Sequence, residues 1–304
     1  MKIAVFDIGT NSIHLLVAET YPNDSFKVLL HLRDATRLGD GSFLSKKLSI
    51  KKIKKAIKVI NRFNSLAKKI QVDYTIAVAT SAVRDSQNRH QFIAHVFKKT
   101  GLKIKVISGL EEARLIYLGV QSDRRLKQQK ALVIDIGGGS VELILGCDGK
   151  ILYSNSFHLG VARLTQKFMR HDPPLEKELQ ACAAFVEKKI SEALKKIRKK
   201  GFSNVIGSSG TLFNLANMIR LREGLEFSRG EFEKLYKRLV IMNLKERRKI
   251  AGLSSKRADT IVAGCVVVRT LFQLLDIGKI QLSRFAIREG VVIDFMVKSR
   301  HGSI

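Results

Sequence analysis

One stretch of the chain occurs twice, and the recurrence limits the folds open to it. Residues 3–18 read Ile-Ala-Val-Phe-Asp-Ile-Gly-Thr-Asn-Ser-Ile-His-Leu-Leu-Val-Ala, and with Asp7 set on Asp135 they align without a gap to the stretch that opens at Ala131. Val5/Val133, Asp7/Asp135, Ile8/Ile136, Gly9/Gly137, Ser12/Ser140 and Leu15/Leu143 are identical. Each copy starts as an apolar run, read as a buried strand, and ends at an Asp. Small residues follow, three of them glycines in the second copy, where the backbone can turn tightly and approach a ligand. A second strand then leaves, with Val141, Leu143 and Leu145 on one face and Glu142 opposite. An acid at a strand end beside consecutive backbone N–H groups suits a metal-bound phosphate. A single copy reads equally well as an ordinary Gly-rich hairpin. Two copies favour the phosphate loop.

The likeness continues beyond the hairpins. A strand around Phe26–Leu32 matches one around Lys150–Phe157, and long Lys-rich helices follow at 46–70 and 174–199. Buried strands come next, at Tyr74–Ala79 and Asn204–Ile206, each with a small polar turn and a helix behind it. Closing strands at 103–108 and 279–283 lead into helices from Leu110 and from about Phe285. The order βββαβαβα thus occurs twice, with extra helices at about 230–276, and predicts an α/β protein of two similar domains facing across a cleft. The domains are expected at 1–124 and 125–304, joined by the polar segment 121–130, with the last helix able to pack back on the first domain.

Composition narrows the class. A chain of 304 residues with 45% hydrophobic content can bury a large core, and no apolar run reaches the roughly 18 residues of a membrane span. The N-terminus enters a strand directly, without a secretory leader, so a cytoplasmic protein is expected. Cys147, Cys182 and Cys265 are far apart and read as small buried hydrophobes. The net charge of +28 attracts polyanions without choosing among them, and a basic proteome would give the same figure to a bland protein. On the first long helix Ile53, Ile57, Ile60, Phe63, Ala67 and Ile70 form an apolar stripe, and its lysines read as a solvated face or as a polyanion track. The seven histidines, His14, His31, His90, His95, His158, His171 and His301, show no zinc-ligand spacing.

Several residues could carry chemistry. Asp7 and Asp135 each end a first strand, and carboxylates facing one another could hold Mg²⁺ directly or through water. The amides of Gly9–Ser12 and of Gly137, Gly138, Gly139 and Ser140 would contact phosphate. Gly207-Ser-Ser-Gly-Thr211 opens a helix and offers a third cradle, through Ser209, Gly210 and Thr211. In Ser108-Gly-Leu-Glu-Glu-Ala-Arg114, Ser108 and Glu111 suit a capping box. Glu112, about 100° further round the helix, is then free to activate a water, or is simply a first-turn acid. Arg84 reads as a phosphate clamp or as a surface ion pair. No GxSxG elbow or Cys/His pattern suggests a covalent nucleophile.

Together these blocks resemble the exopolyphosphatase/guanosine pentaphosphate phosphatase (Ppx/GppA) family. They are Asp7-Ile-Gly-Thr-Asn-Ser-Ile-His14, Ala79-Thr-Ser-Ala-Val-Arg84 with Asn88, Ile107-Ser-Gly-Leu-Glu-Glu-Ala-Arg-Leu-Ile116, Ile134-Asp-Ile-Gly-Gly-Gly-Ser-Val-Glu142, Gly207-Ser-Ser-Gly-Thr211 and Ile287-Arg-Glu-Gly290. The resemblance implies ribonuclease H-like domains of the actin/Hsp70/sugar kinase superfamily. It also implies Mg²⁺-dependent release of terminal phosphate from inorganic polyphosphate or guanosine pentaphosphate (pppGpp). Glu112 resembles the general base. Asp135 and Glu142 resemble the catalytic or metal-linked acids, with Asp7 their counterpart, and Thr10, Asn11, Ser12, Arg84 and the loop residues would hold phosphates. Thr10 replaces a more usual Ser, Arg284 stands where the family often has Asp, and the HD-like C-terminal domain of longer members is not expected here.

A Mg²⁺-dependent exopolyphosphatase is therefore the leading expectation, and the positive charge favours long polyphosphate. The alternatives are a pppGpp 5′-phosphohydrolase or nucleoside triphosphatase, a kinase built on the same loops, and a non-catalytic polyanion-binding protein. No membrane and no specific nucleic acid are expected as partners, and a homodimer is the one protein assembly allowed for.

Overall fold

The computed structural model describes residues 1–23, 25–124, 129–220 and 225–300. The middle of the expected linker, 125–128, and His301 lie outside the described residues. The chain divides into two compact units, Met1–Gly119 with Phe285–Ile304, and Val120–Arg284.

The first unit runs β1 (Lys2–Ile8), β2 (Ile13–Thr20), β3 (Phe26–Asp34), α1 (Ser42–Ser45), α2 (Ile50–Lys69), β4 (Tyr74–Ala79), α3 (Ser81–Arg84), α4 (Arg89–Thr100), β5 (Ile104–Val106) and α5 (Gly109–Arg124). The second unit holds β6 (Ala131–Ile136), β7 (Val141–Cys147), β8 (Lys150–Phe157), α6 (Val161–Phe168), α7 (Glu176–Lys200), β9 (Asn204–Ser208) and α8 (Gly210–Arg220). It continues with β10 (Glu226–Ser228), α9 (Arg229–Ile241), α10 (Leu244–Arg247), a 3₁₀ turn at Ser255–Arg257, α11 (Ile261–Leu275) and β11 (Lys279–Leu282). The last helix, α12 (Ile287–Arg300), belongs to the first unit. The division falls inside α5, because Gln121–Arg124 continue that helix where the sequence suggested a linker.

The sheets share one plan. The first has the order β3-β2-β1-β4-β5, and the second β8-β7-β6-β9-β11 with β10 added at its edge. In both, the first two pairings are antiparallel and the next two parallel, the ribonuclease H-like arrangement expected. The copies agree in register: Asp7 faces His14 and Ile8 faces Ile13, while Asp135 faces Glu142 and Ile136 faces Val141. Even the bulge recurs, at Val17/Ala18 and at Leu145/Gly146, which are aligned positions.

Burial explains the apolar runs. Ile3, Ala4, Val5, Phe6 and Ile8 of the central strand β1 are inaccessible, as are Leu132, Val133, Ile134 and Ile136 of β6. In the first unit, Ile53, Ile60, Phe63 and Ala67 of α2 and Phe92 and Val96 of α4 cover one face of the sheet. In the second, α7, α8, α9 and the predominantly apolar α11 build the larger core. Lys51, Lys54, Lys55 and Lys58 of α2 are exposed and Lys52 pairs with Asp40, an arrangement common to both readings of that helix. Among the described residues no helix is long and apolar enough to cross a membrane.

One departure from the sequence pattern bears on the site. Alternation along β7 puts Glu142 opposite Val141, Leu143 and Leu145, on the face that an antiparallel strand often leaves to solvent. It is instead 1% exposed, because both faces of this strand are covered.

Candidate functional site

In the first unit, the loop after β1 closes with a hydrogen bond from the Gly9 amide to the Ser12 carbonyl at 3.0 Å. Two more of its carbonyls are engaged by a later segment: the Gly39 amide donates to Thr10 at 2.9 Å and the Arg37 amide to Asn11 at 3.0 Å. The loop after β6 repeats this. Gly137 donates to the Ser140 carbonyl at 3.0 Å, and the carbonyls of Gly137 and Gly138 accept from the amides of Val161 and Ala162 at 3.0 and 2.8 Å. The Gly139 carbonyl accepts from Nε of Arg163 at 3.0 Å. With these carbonyls occupied, the amides of residues 10–12 and 138–140 are the donors a phosphate could use.

The segments that brace the loops share a Leu-Gly pair missed in the sequence. Leu38 and Leu159 are fully buried, and each precedes a glycine that permits close approach. A Cβ on Gly39 would stand 2.4 Å from Thr10 Cγ2, and one on Gly160 would stand 2.3 Å from the backbone of Gly139. Placed after the third strand of each copy, the pair was a readable extension of the repeat.

The segment Gly207–Thr211 opens a helix, as its sequence suggested. Ser209 has φ 89, a left-handed conformation that opens α8 at Gly210. Ser209 Oγ accepts from the Ile136 amide at 3.3 Å, and Thr211 Oγ1 donates to the Ile136 carbonyl at 2.8 Å, which fixes α8 to the end of β6. Arg257 lies against this helix start, with Nη1 3.5 Å from Thr211 Oγ1. It comes from the inserted region and nothing in the repeat pointed to it.

The acids differ in setting. Asp135 is 8% exposed, and its Oδ2 accepts from Ser208 Oγ. Glu142, its ladder partner, accepts from Ser156 Oγ at 2.7 Å. Directly opposed residues put their side chains on one face, so two carboxylates lie together at the end of β6. Oxygen donors of this kind suit Mg²⁺, which takes one or two carboxylates and completes its shell with water and substrate phosphate. Among the described residues no group of three or more His, Cys, Asp or Glu side chains gathers as a metal cluster. The residues present therefore fit a sparse magnesium site rather than an all-protein cage.

In the first unit, Asp7 is half-buried and has His14 as its ladder partner. Glu112 sits in the first turn of α5 with 8% of its surface exposed, and its Oε2 is 2.9 Å from Arg84 Nη1. Arg84 also donates to the Ile107 carbonyl at 3.1 Å. The two residues singled out in separate segments are thus brought together as a largely buried pair. Asn88, quoted among the family blocks, brackets the Leu48 backbone with two bonds of 2.9 Å and is structural. The Arg284 side chain is exposed, while its amide donates to Asp123 at 2.8 Å.

Half of the capping box forms. Ser108 Oγ accepts from the Glu111 amide at 3.1 Å, but both Glu111 oxygens turn to Arg114 at 2.8 Å. Arg114 also bonds Asp294 of α12 at 2.8 Å, and Lys298 pairs with Asp294 at 2.6 Å. The bonds from Arg114 hold the Glu111 carboxyl below its ordinary range. For Asp294 burial pushes upward, but the bonds from Lys298 and Arg114 outweigh it and lower the pKa. Lowered carboxyl pKa values stabilise the fold above the unfolded-state values of 4.5 and 3.8, and that contribution is lost as pH falls through the folded ones. Asp294→Asn is expected to cost about 1 kcal/mol at pH 7, allowing for solvent screening. Urea denaturation of both proteins should show the difference shrinking as pH falls below about 3.8. A difference independent of pH would contradict the ion-pair origin.

The cysteines are free. Burial pushes the Cys182 thiol up to about 12 and raises that of Cys265, so both are inert, while Cys147 is half-buried at the end of β7.

Comparisons with known proteins agree with one another. The model of the Ppx/GppA phosphatase family matches residues 16–299. Exopolyphosphatase 1 of Mycobacterium leprae is 27% identical over 301 residues, covering 96% of this chain and 89% of that protein. The crystal structure of an exopolyphosphatase from Cytophaga hutchinsonii superposes with a TM-score of 0.91 at 30% identity, over 100% of this chain and 99% of that one. The Aquifex aeolicus Ppx/GppA family member gives 0.83 at 27% identity, over 99% of both chains.

Proposed function

The chain belongs to the Ppx/GppA phosphatase family, and we propose that it is an exopolyphosphatase that removes terminal phosphate from inorganic polyphosphate. The observation that carries this reading is the buried Glu112–Arg84 pair at the start of α5, in a unit that also presents a phosphate-type loop. Glu112 accepts a proton from water as that water attacks the terminal phosphorus, with Arg84 within reach of the charge on the transferring group. The terminal P–O–P bond breaks and its bridging oxygen leaves with the shortened chain. Thr10, Asn11, Ser12, Gly138, Gly139, Ser140, Ser209, Gly210 and Thr211 bind phosphate oxygens. Asp135 and Glu142 would hold Mg²⁺, which would supply charge neutralisation at those oxygens, and Asp7 is their counterpart as a metal-holding acid in the first unit.

Names of relatives support the substrate class, and the net charge of +28 favours a long polyanion over a nucleotide. Guanosine pentaphosphate is the second reading, since the same groups would cleave its terminal anhydride. The reading carries a cytoplasmic location with it, because three free thiols suit a reducing compartment.

Product analysis tests the proposal. Incubation with long polyphosphate and Mg²⁺ should yield orthophosphate and a chain population shortened from its ends. Salt-sensitive binding without any phosphate release would replace the enzyme by a polyanion-binding protein.

A further inference from the structure

The first unit contains a line of basic side chains behind Ser12 that the proposed mechanism does not use. His14 Nε2 lies 2.9 Å from Ser12 Oγ. On the other side of the ring, His14 Nδ1 is 2.9 Å from Arg288 Nη1 of α12 and 3.2 Å from His31 Nε2 of β3. The two imidazoles stack with centroids 5.5 Å apart and planes 14° from parallel. Ser12 is 7% exposed and belongs to the loop that closes β1 onto β2.

Donor and acceptor logic fixes the protons along this line. Arg288 can only donate, so His14 Nδ1 must accept and carries no hydrogen. A neutral imidazole then holds its proton on Nε2 and donates it to Ser12 Oγ. His31 faces His14, Arg33, Arg288 and Glu289. Burial and the positive charges of Arg288 and Arg33 outweigh Glu289 and lower its pKa, so it too stays neutral; the one lone pair of His14 Nδ1 is taken by the nearer Arg288, and the His31 ring packs against that of His14. A Ser12 oxygen that accepts from His14 turns its own O–H outward as a donor. Glu142 stands at the aligned position in the second copy.

We propose that His14, held in one tautomer by Arg288 and packed against His31, is a positioning residue that orients the Ser12 hydroxyl as a donor to a polyphosphate oxygen. The inference rests on the phosphate-loop reading of Gly9–Ser12. It gives Arg288, in the Ile287-Arg-Glu-Gly290 block, a part in substrate affinity through two side chains.

A double-mutant cycle tests it, read by kcat and KM for release from long polyphosphate and by equilibrium binding of the same polymer with Mg²⁺. Ser12→Ala should raise KM and weaken binding about tenfold with kcat little changed, since a contact made in both ground and transition states is lost. His14→Leu should match it, and His14→Gln, which keeps an N–H near the Nε2 position, should restore most of the loss. In the Ser12→Ala background His14→Leu should cost less than about twofold more. ¹⁵N shifts of the His14 ring in the wild-type protein should report a protonated Nε2 and a bare Nδ1. Losses that multiply across the cycle, or a protonated Nδ1, would overturn the proposal. Wild-type protein that binds the polymer without cleaving it removes the enzyme reading alone, and the binding arm still decides the positioning role. Protein that does not bind polyphosphate removes both.

Discussion

Glu112→Gln is expected to lower the rate of phosphate release by about 10²–10⁴-fold while polyphosphate affinity changes by no more than about twofold. The substitution keeps size and shape at a position that is 8% exposed, so it creates neither a cavity nor a clash. It removes the negative charge that lets Glu112 take a proton from water. The helix that carries it stays anchored, since Ser108 still caps α5 and Glu111 still grips Arg114. Glu111→Gln is the matched control, one residue earlier in the same turn, and should leave turnover near the parent value. Near-normal turnover in Glu112→Gln would exclude it as the base.

The largest structural effect is expected at Gly290. A Cβ there would stand 1.8 Å from the Leu115 carbonyl oxygen of α5, and one on Gly119 would stand 2.1 Å from the Ala286 carbonyl oxygen. The helices α5 and α12 therefore touch backbone to backbone, with a glycine from each at the crossing. Neither side can yield by changing a rotamer. Gly290→Ala should destabilise the protein by about 3 kcal/mol, the upper end of ordinary overpacking. In thermal unfolding this would lower the midpoint by about 6–12 °C. Gly230→Ala is the contrast. That glycine lies within α9 with nothing near its absent Cβ, and the change should add about 0.5–1 kcal/mol through helix propensity. Equal stability of Gly290→Ala and the parent would mean that the α5–α12 crossing is not as close as described.

This crossing also marks where sequence reading stopped. The repeat was legible because each copy must bury a two-faced central strand and then turn within a few small residues, so its strongest constraints are contiguous. Register, bulge position and loop closure followed from that alignment. The limit of the first unit was not legible, because α5 is one continuous helix across it and the polar composition of 121–130 resembles a linker. The strand β10 was missed as well, being only three residues long and defined by its pairing with β11.

At the candidate site, Asp7, Glu112, Asp135, Glu142 and the three loops were visible as motifs. Contacts between distant segments were hidden. The Glu112–Arg84 bond joins residues 28 apart, and the partner of His14 lies 274 residues further on. Glu111 shows the same limit at short range. Ser108-x-x-Glu111 signals a capping box, but an arginine three residues later competes for the carboxylate and wins both oxygens.

The central claim is polyphosphate hydrolysis, and rates of orthophosphate release from long polyphosphate, guanosine pentaphosphate and ATP, each with Mg²⁺ under matched conditions, test it most directly. The account predicts the highest kcat/KM for long polyphosphate. A preference for guanosine pentaphosphate would keep the chemistry and change the substrate, and absence of phosphate release from all three would contradict the account.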